Sequence, residues 1–154
     1  MKIGVLAVQG AFIEHEHIIE KIGHEVVEIR QRKDLDGIDG IILPGGESTV
    51  QGQLLRKLDM LATIKSLIAD GLPTLATCAG LILLAGHIDN DDSVHIGTLP
   101  VTVKRNAYGR QLGSFVRTAP MKGFDEFPMI FIRAPYISSI KDNVDVLALS
   151  LIHI

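Results

Sequence analysis

The chain has 154 residues and a formal net charge of −3, with 47% hydrophobic and 21% charged residues. That suits one domain with a real core and excludes a disordered chain. No Lys/Arg stripe accompanies the charge, which argues against nucleic acid as a partner, and no apolar run is long enough to span a membrane.

Aromatic residues are scarce and Trp is absent, so Ile, Leu and Val must fill the interior, as in a parallel sheet covered on both faces. One cysteine cannot form an internal disulfide, which fits a reducing compartment. With no signal peptide expected at the N-terminus, the predicted location is cytoplasmic.

Ile3-Gly4-Val5-Leu6-Ala7-Val8 reads as a buried first strand, and Gln9-Gly10 as a turn. A helix is predicted from Ala11 to Ile22, with Ala11, Phe12, Ile18, Ile19 and Ile22 on one apolar arc and Gly23 as its stop. Val26-Val27-Glu28-Ile29 and Ile41-Ile42-Leu43 read as the second and third strands. Helical sequence covers Thr49 to Ala69, with a break near Leu58-Asp59, and Gly71 and Pro73 end it. Thr74-Leu75-Ala76-Thr77 reads as a fourth strand and Ala79 to Ala85 as a helix. This alternation predicts a doubly wound α/β fold, with a mostly parallel sheet and helices on both faces. After Asp89 the rhythm breaks into short strand-like pieces at 101–103, 129–132 and 144–147.

Ala76-Thr77-Cys78-Ala79-Gly80 lies where a strand gives way to a helix. A nucleophile on such a turn projects above the sheet, and its neighbours must be small to permit the bend. The helix terminus favours a thiolate, and the Ala79 N–H is placed to donate to an oxyanion. A helix end contributes only about 0.3–1 kcal/mol, so a general base is still required. The alternative is a buried cysteine serving as a small hydrophobe.

Pro44-Gly45-Gly46-Glu47-Ser48 follows the third strand, at the end where open α/β sheets bind ligands. Its glycines let a ligand approach the backbone, and Ser48 is a candidate cap for the next helix. The alternative is a plain strand-to-helix connection. The phosphate-loop spacing is absent. The two features together make a stronger pair than either alone.

Several segments carry a resemblance: Ile3-Gly4-Val5-Leu6 through Gln9-Gly10, Leu43-Pro44-Gly45-Gly46-Glu47-Ser48-Thr49, Thr77-Cys78-Ala79-Gly80-Leu81, Arg105-Asn106-Ala107-Tyr108-Gly109-Arg110-Gln111 and Phe131-Ile132-Arg133-Ala134-Pro135. In order and spacing the chain resembles the class I glutamine amidotransferases, and in its last two segments the glutaminase subunits of pyridoxal 5′-phosphate synthases. The resemblance implies that Cys78 attacks the side-chain amide of glutamine, forms a thioester and releases ammonia to a separate synthase subunit. It implies an oxyanion hole from Gly45, Gly46 and Ala79, and a substrate pocket from Gly46, Glu47, Ser48, Arg105, Ile132 and Arg133. A guanidinium suits the carboxylate of an amino acid and Glu47 suits its ammonium. Neither a metal nor a cofactor is implied.

The family's base and its orienting carboxylate lie in a His-Pro-Glu segment that this sequence lacks, and His153 is followed by Ile154 instead. His15 falls on the apolar arc as a satisfied core or interface histidine. His17 faces the polar side, so the two make no metal pair. His24, His87 and His95 are expected in exposed turns. Residues 149–154, Leu-Ser-Leu-Ile-His-Ile, are what the adapter string CTG TCT CTT ATA CAC ATC encodes. The expectation is therefore an incomplete amidotransferase domain over 1–148, with a foreign tail, continuing in nature past Ala148. An active glutaminase is then predicted only for the natural protein. The rival readings are a catalytically dead docking subunit and a Cys-elbow α/β stress protein.

Overall fold

The computed structural model describes residues 1–89, 91–105, 115–131, 135–141 and 143–149. The first strand, β1 (Lys2–Leu6), is apolar on both sides because it lies inside a sheet covered on both faces. Its neighbours are β2 (Glu25–Ile29) and β3 (Gly40–Leu43), and β4 (Thr74–Ala76) completes a parallel sheet of order β2-β1-β3-β4. Successive side chains alternate between the faces. Leu6, Ile41 and Leu43 enter the larger core cluster, whereas Val5 and Ile42 enter the smaller one on the other side.

The larger core holds Leu55, Met60, Ile64 and Leu83, drawn from α2 (Ser48–Lys57), α3 (Leu61–Ala69), α4 (Ala79–Leu84) and the turn between the first two. The opposite face is covered by α1 (Ile13–Lys21), which places Ile19 and the adjoining Phe12 against Val5 and Ile42. Helices on both faces of a parallel sheet are thus observed. Because β2 lies on one side of β1 and β3 on the other, the chain reverses its winding between β1 and β3. A crevice opens beside their carboxyl ends at such a switch point.

The break expected near Leu58-Asp59 is observed: α2 and α3 are divided where Asp59 takes a positive φ of 54°. Two other expectations for this half change. The first helix begins at Ile13 rather than Ala11, and its apolar arc is only partly covered: Ile19 is buried, but Ile18 and Ile22 are exposed. Ser48 does not cap α2. Glu47 does, its carboxylate accepting from the Val50 N–H at 3.1 Å, and Ser48 is the first helical residue.

After α4 the chain enters β5 (Ala85–Ile88), which pairs in parallel with β6 (Leu99–Lys104), itself antiparallel to β9 (Tyr136–Ile140). Ile82, Ala85, Ile88, Val101 and Val103 form the core that joins this second sheet to α4. A hairpin of β7 (Phe115–Met121) and β8 (Phe124–Phe131) turns at Lys122-Gly123, where Gly123 has φ +92°. The strand-like pieces expected at 101–103 and 129–132 fall on β6 and β8, although Ile132 lies outside the described residues. The piece expected at 144–147 is not a strand; nearby, Ala148 alone makes an isolated bridge to Met121.

Candidate active site

The loop Pro44-Gly45-Gly46-Glu47 leaves the end of β3, and Thr77-Cys78 leaves the end of β4, so parallel pairing of these strands places the two turns side by side. A Cβ built on Gly45 would stand 3.4 Å from the Cys78 Cβ. Cys78 has φ +48° and ψ −104°, a conformation that non-glycine residues rarely adopt and that costs on the order of 1–3 kcal/mol. Such strain persists only where surrounding packing over-determines it. Here that packing includes Gly80, whose added Cβ would stand 2.1 Å from the Leu43 carbonyl oxygen. The neighbours had to be small, as the sequence predicted. Ala79, the first residue of α4, has an N–H with no acceptor inside its own helix.

The diglycine loop is held from behind. The Ala11 N–H donates to the Gly45 carbonyl at 3.0 Å, and the Glu47 N–H donates to the Gln9 side-chain oxygen at 3.0 Å. Gly10, at φ +108°, comes so close that a Cβ there would lie 2.1 Å from the Gly45 oxygen. Buried Gln51 donates from Nε2 to the Gln9 carbonyl at 2.9 Å and to the Pro44 carbonyl at 3.4 Å. In a trans peptide the N–H points opposite to the C=O. Fixing the Gly45 carbonyl against Ala11 therefore also fixes the direction of the Gly46 N–H.

A cleft of about 200 Å³ is lined by Gly46, Glu47, Ser48, Cys78, Ile82, Arg105 and Pro135. The structure thus brings together four residues singled out for substrate or oxyanion contact around Cys78. Gly45 and Ala79 flank them as backbone neighbours. Ile132 and Arg133 lie outside the described residues. Ser48 is buried and its hydroxyl has no hydrogen-bond partner among the described residues.

Arg105 follows β6 directly and reaches back across the cleft. One terminal nitrogen donates to Glu47 Oε1 and to the Thr49 hydroxyl, both at 3.0 Å. The other donates to Asp91 Oδ2 at 3.1 Å. Thr49 and Asp91 were not singled out from the sequence. Thr49 stood inside a matching segment, but Asp91 lies in a polar turn that offered no signal.

The histidines divide differently from expectation. His15 is half-buried, with Nε2 3.5 Å from the Thr77 hydroxyl, and burial lowers its pKa against a smaller opposing effect of Glu14. His17 is exposed, His24 is half-buried, and His87 is exposed but lies in β5 rather than in a turn. His95 is the larger correction: it is buried, in space left by Gly52, where a Cβ would meet its Nδ1 at 2.1 Å. Arg56 contacts that Nδ1 at 3.3 Å and can only donate. The ring is therefore neutral with its proton on Nε2, and burial, reinforced by Arg56, lowers its pKa. Among the described residues no hydrogen bond joins a histidine to the Cys78 thiol, and no group of His, Cys, Asp and Glu could hold a metal.

Comparison with known proteins gives concordant results. The model of the SNO glutamine amidotransferase family matches residues 5–152. A protein of Desulfitobacterium hafniense named pyridoxal 5′-phosphate synthase subunit PdxT is 57% identical over 149 residues, covering 96% of this chain and 75% of the relative. Proteins of the same name from Haemophilus influenzae and Streptococcus pneumoniae are 53% and 51% identical, each covering 79% of the relative. A crystal structure of a glutamine amidotransferase superimposes with a TM-score of 0.89 at 38% identity, over 95% of this chain and 78% of that one.

Proposed function

The chain belongs to the SNO glutamine amidotransferase family, and we propose from that premise that it is the glutaminase subunit of a pyridoxal 5′-phosphate synthase. The observation that carries the reading is the strained backbone of Cys78, which aims a thiol into the cleft between the diglycine loop and Arg105.

The Cys78 sulfur, having given its proton to a base, attacks the side-chain amide carbon of glutamine. The carbonyl π electrons move to oxygen, and the N–H groups of Gly46 and Ala79 stabilise that oxyanion. As the carbonyl re-forms, the C–N bond breaks. The nitrogen leaves as ammonia, carrying the proton held by the base, and a γ-glutamyl thioester remains. Water then attacks the thioester, releasing glutamate and restoring the thiol. The base is assigned to none of the histidines in residues 1–154.

Arg105 binds the α-carboxylate of glutamine and Glu47 its ammonium, and the family resemblance adds Ile132 and Arg133 to the substrate-binding residues. The ammonia passes to a separate synthase subunit, which is the partner. No helix among the described residues is long and apolar enough to cross a membrane. A lone cysteine that must stay a thiol suits the reducing cytoplasm.

The test uses the full-length protein with and without the synthase subunit. Glutamine-dependent release of glutamate is expected, together with covalent capture of Cys78 by a glutamine-analogue electrophile, read as a mass increase on its peptide. A protein that binds glutamine yet never acquires the adduct, with the synthase present, refutes the proposal.

A further inference from the structure

We infer that Asp91 is a positioning residue for glutamine binding: it holds one arm of the Arg105 fork so that the other arm can pass from Glu47 to the α-carboxylate of the substrate. The inference rests on the assignment of Arg105 and Glu47 to the two charged ends of glutamine.

In the cleft the two residues given those roles hold each other. Arg105 donates to Glu47 Oε1 at 3.0 Å, so the pair must separate before a zwitterionic amino acid can engage both. Each partner has a second anchor that survives the separation. Glu47 Oε2 keeps the Val50 N–H at 3.1 Å, which leaves Oε1 facing the substrate ammonium. Arg105 keeps Asp91 at 3.1 Å through its other terminal nitrogen, which leaves the arm that held Glu47 to receive the carboxylate. A guanidinium has donors in two directions and serves both roles at once, which an ammonium on a single stem does not.

Asp91 is built for this task. Its Oδ1 accepts the Ser93 N–H at 2.8 Å while Oδ2 accepts Arg105, so each oxygen has a separate partner. Bonds from Ser93, and then from Arg105, hold its carboxyl below the usual range and keep it charged. The turn carrying it is clamped to α2: Arg56 donates to the Val94 carbonyl at 3.1 Å and contacts His95 at 3.3 Å. The first turn of α2 supplies Thr49 to Arg105, and the last turn supplies the clamp beneath Asp91. Asp91 is not among the residues lining the cleft, so its influence is exerted through Arg105.

The experiment measures glutaminase kinetics of Asp91→Asn, Asp91→Glu and Arg105→Ala in the full-length protein with its synthase partner. Asp91→Asn is expected to raise KM for glutamine by about tenfold, as for loss of a charge-assisted bond, with kcat within about twofold of the parent. Asp91→Glu is expected to recover most of that rise. A fall in kcat without a rise in KM, or no recovery in Asp91→Glu, overturns the inference and makes Asp91 a structural residue. Asp91→Asn without effect, beside an Arg105→Ala that raises KM, overturns the role of Asp91 alone. An Arg105→Ala with unchanged KM overturns the substrate assignment and this inference with it.

Discussion

Replacing Gly80 with alanine tests whether the nucleophile's position depends on close contact between α4 and β3. The added Cβ would lie 2.1 Å from the Leu43 carbonyl oxygen, 2.8 Å from its carbonyl carbon and 2.9 Å from its Cβ. Real Cβ atoms almost never approach below 3.0 Å, so α4 must retreat by about 0.9 Å before the contact is tolerable. Two of the three obstructing atoms are backbone in a central strand, so the strain cannot be relieved by a rotamer change. Overpacking of this kind costs about 1–3 kcal/mol. At roughly 2–4 °C per kcal/mol for a domain of this size, Tm should fall by about 2–12 °C. Cys78 moves with the helix. Misplacement by about 1 Å can cost on the order of 10²-fold in rate, so kcat should fall far more than stability alone explains. Thermal unfolding and glutaminase assays on the full-length protein supply both numbers. A variant with unchanged Tm and kcat within twofold refutes the claim that glycine is needed there.

Cys78→Gly should abolish glutaminase activity yet unfold no more easily than the parent, because glycine relieves the positive-φ strain; a clear drop in Tm would contradict this. Gln51→Leu removes the two bonds that Gln51 gives the diglycine loop and leaves two carbonyls short of a donor, so a loss of about 1–3 kcal/mol is expected by chemical denaturation. An unchanged midpoint there would show that the bonds from Ala11 and to Gln9 hold the loop without it. The pKa values of His95 and His15 are lowered by burial, so the unfolded chain takes up protons first as pH falls below about 6.5. Stability is therefore fully present above that pH and declines through the acid side, and His95→Gln should flatten the decline of Tm between about pH 7 and pH 5. An identical slope would exclude His95 as a contributor.

The parallel sheet was legible in the sequence because strand and helix alternate with glycine and proline marking their ends. The Cys78 turn was legible because only small residues surround it. Residues beyond Asp89 were harder to read for physical reasons. β7 contains Arg117, Thr118 and Pro120 and lacks clean alternation, and β9 is largely exposed, so neither carries a hydrophobic period. Asp91 meets Arg105 only through tertiary approach, which local spacing cannot encode. His95 was misjudged as exposed although Gly52, inside a helical stretch, was the available signal for a bulky neighbour. Ser48 looked the better cap by residue preference. Glu47 took the position because the loop leaving β3 ends one residue sooner, leaving Glu47 extended at φ −109° and ψ 108°.

The division between the two sheets has an evolutionary corollary. The sulfur and the loop facing it are fixed by strands and helices from the first half of the chain, whereas the arginine arrives just past the end of a strand of a different sheet, joined to α4 by its own small core. Substitutions confined to the second sheet can therefore shift the arginine without disturbing the strands that set the nucleophile. Within the cleft the two halves still meet where the guanidinium bonds Glu47 and Thr49, so drift on one side is felt by the other through that contact.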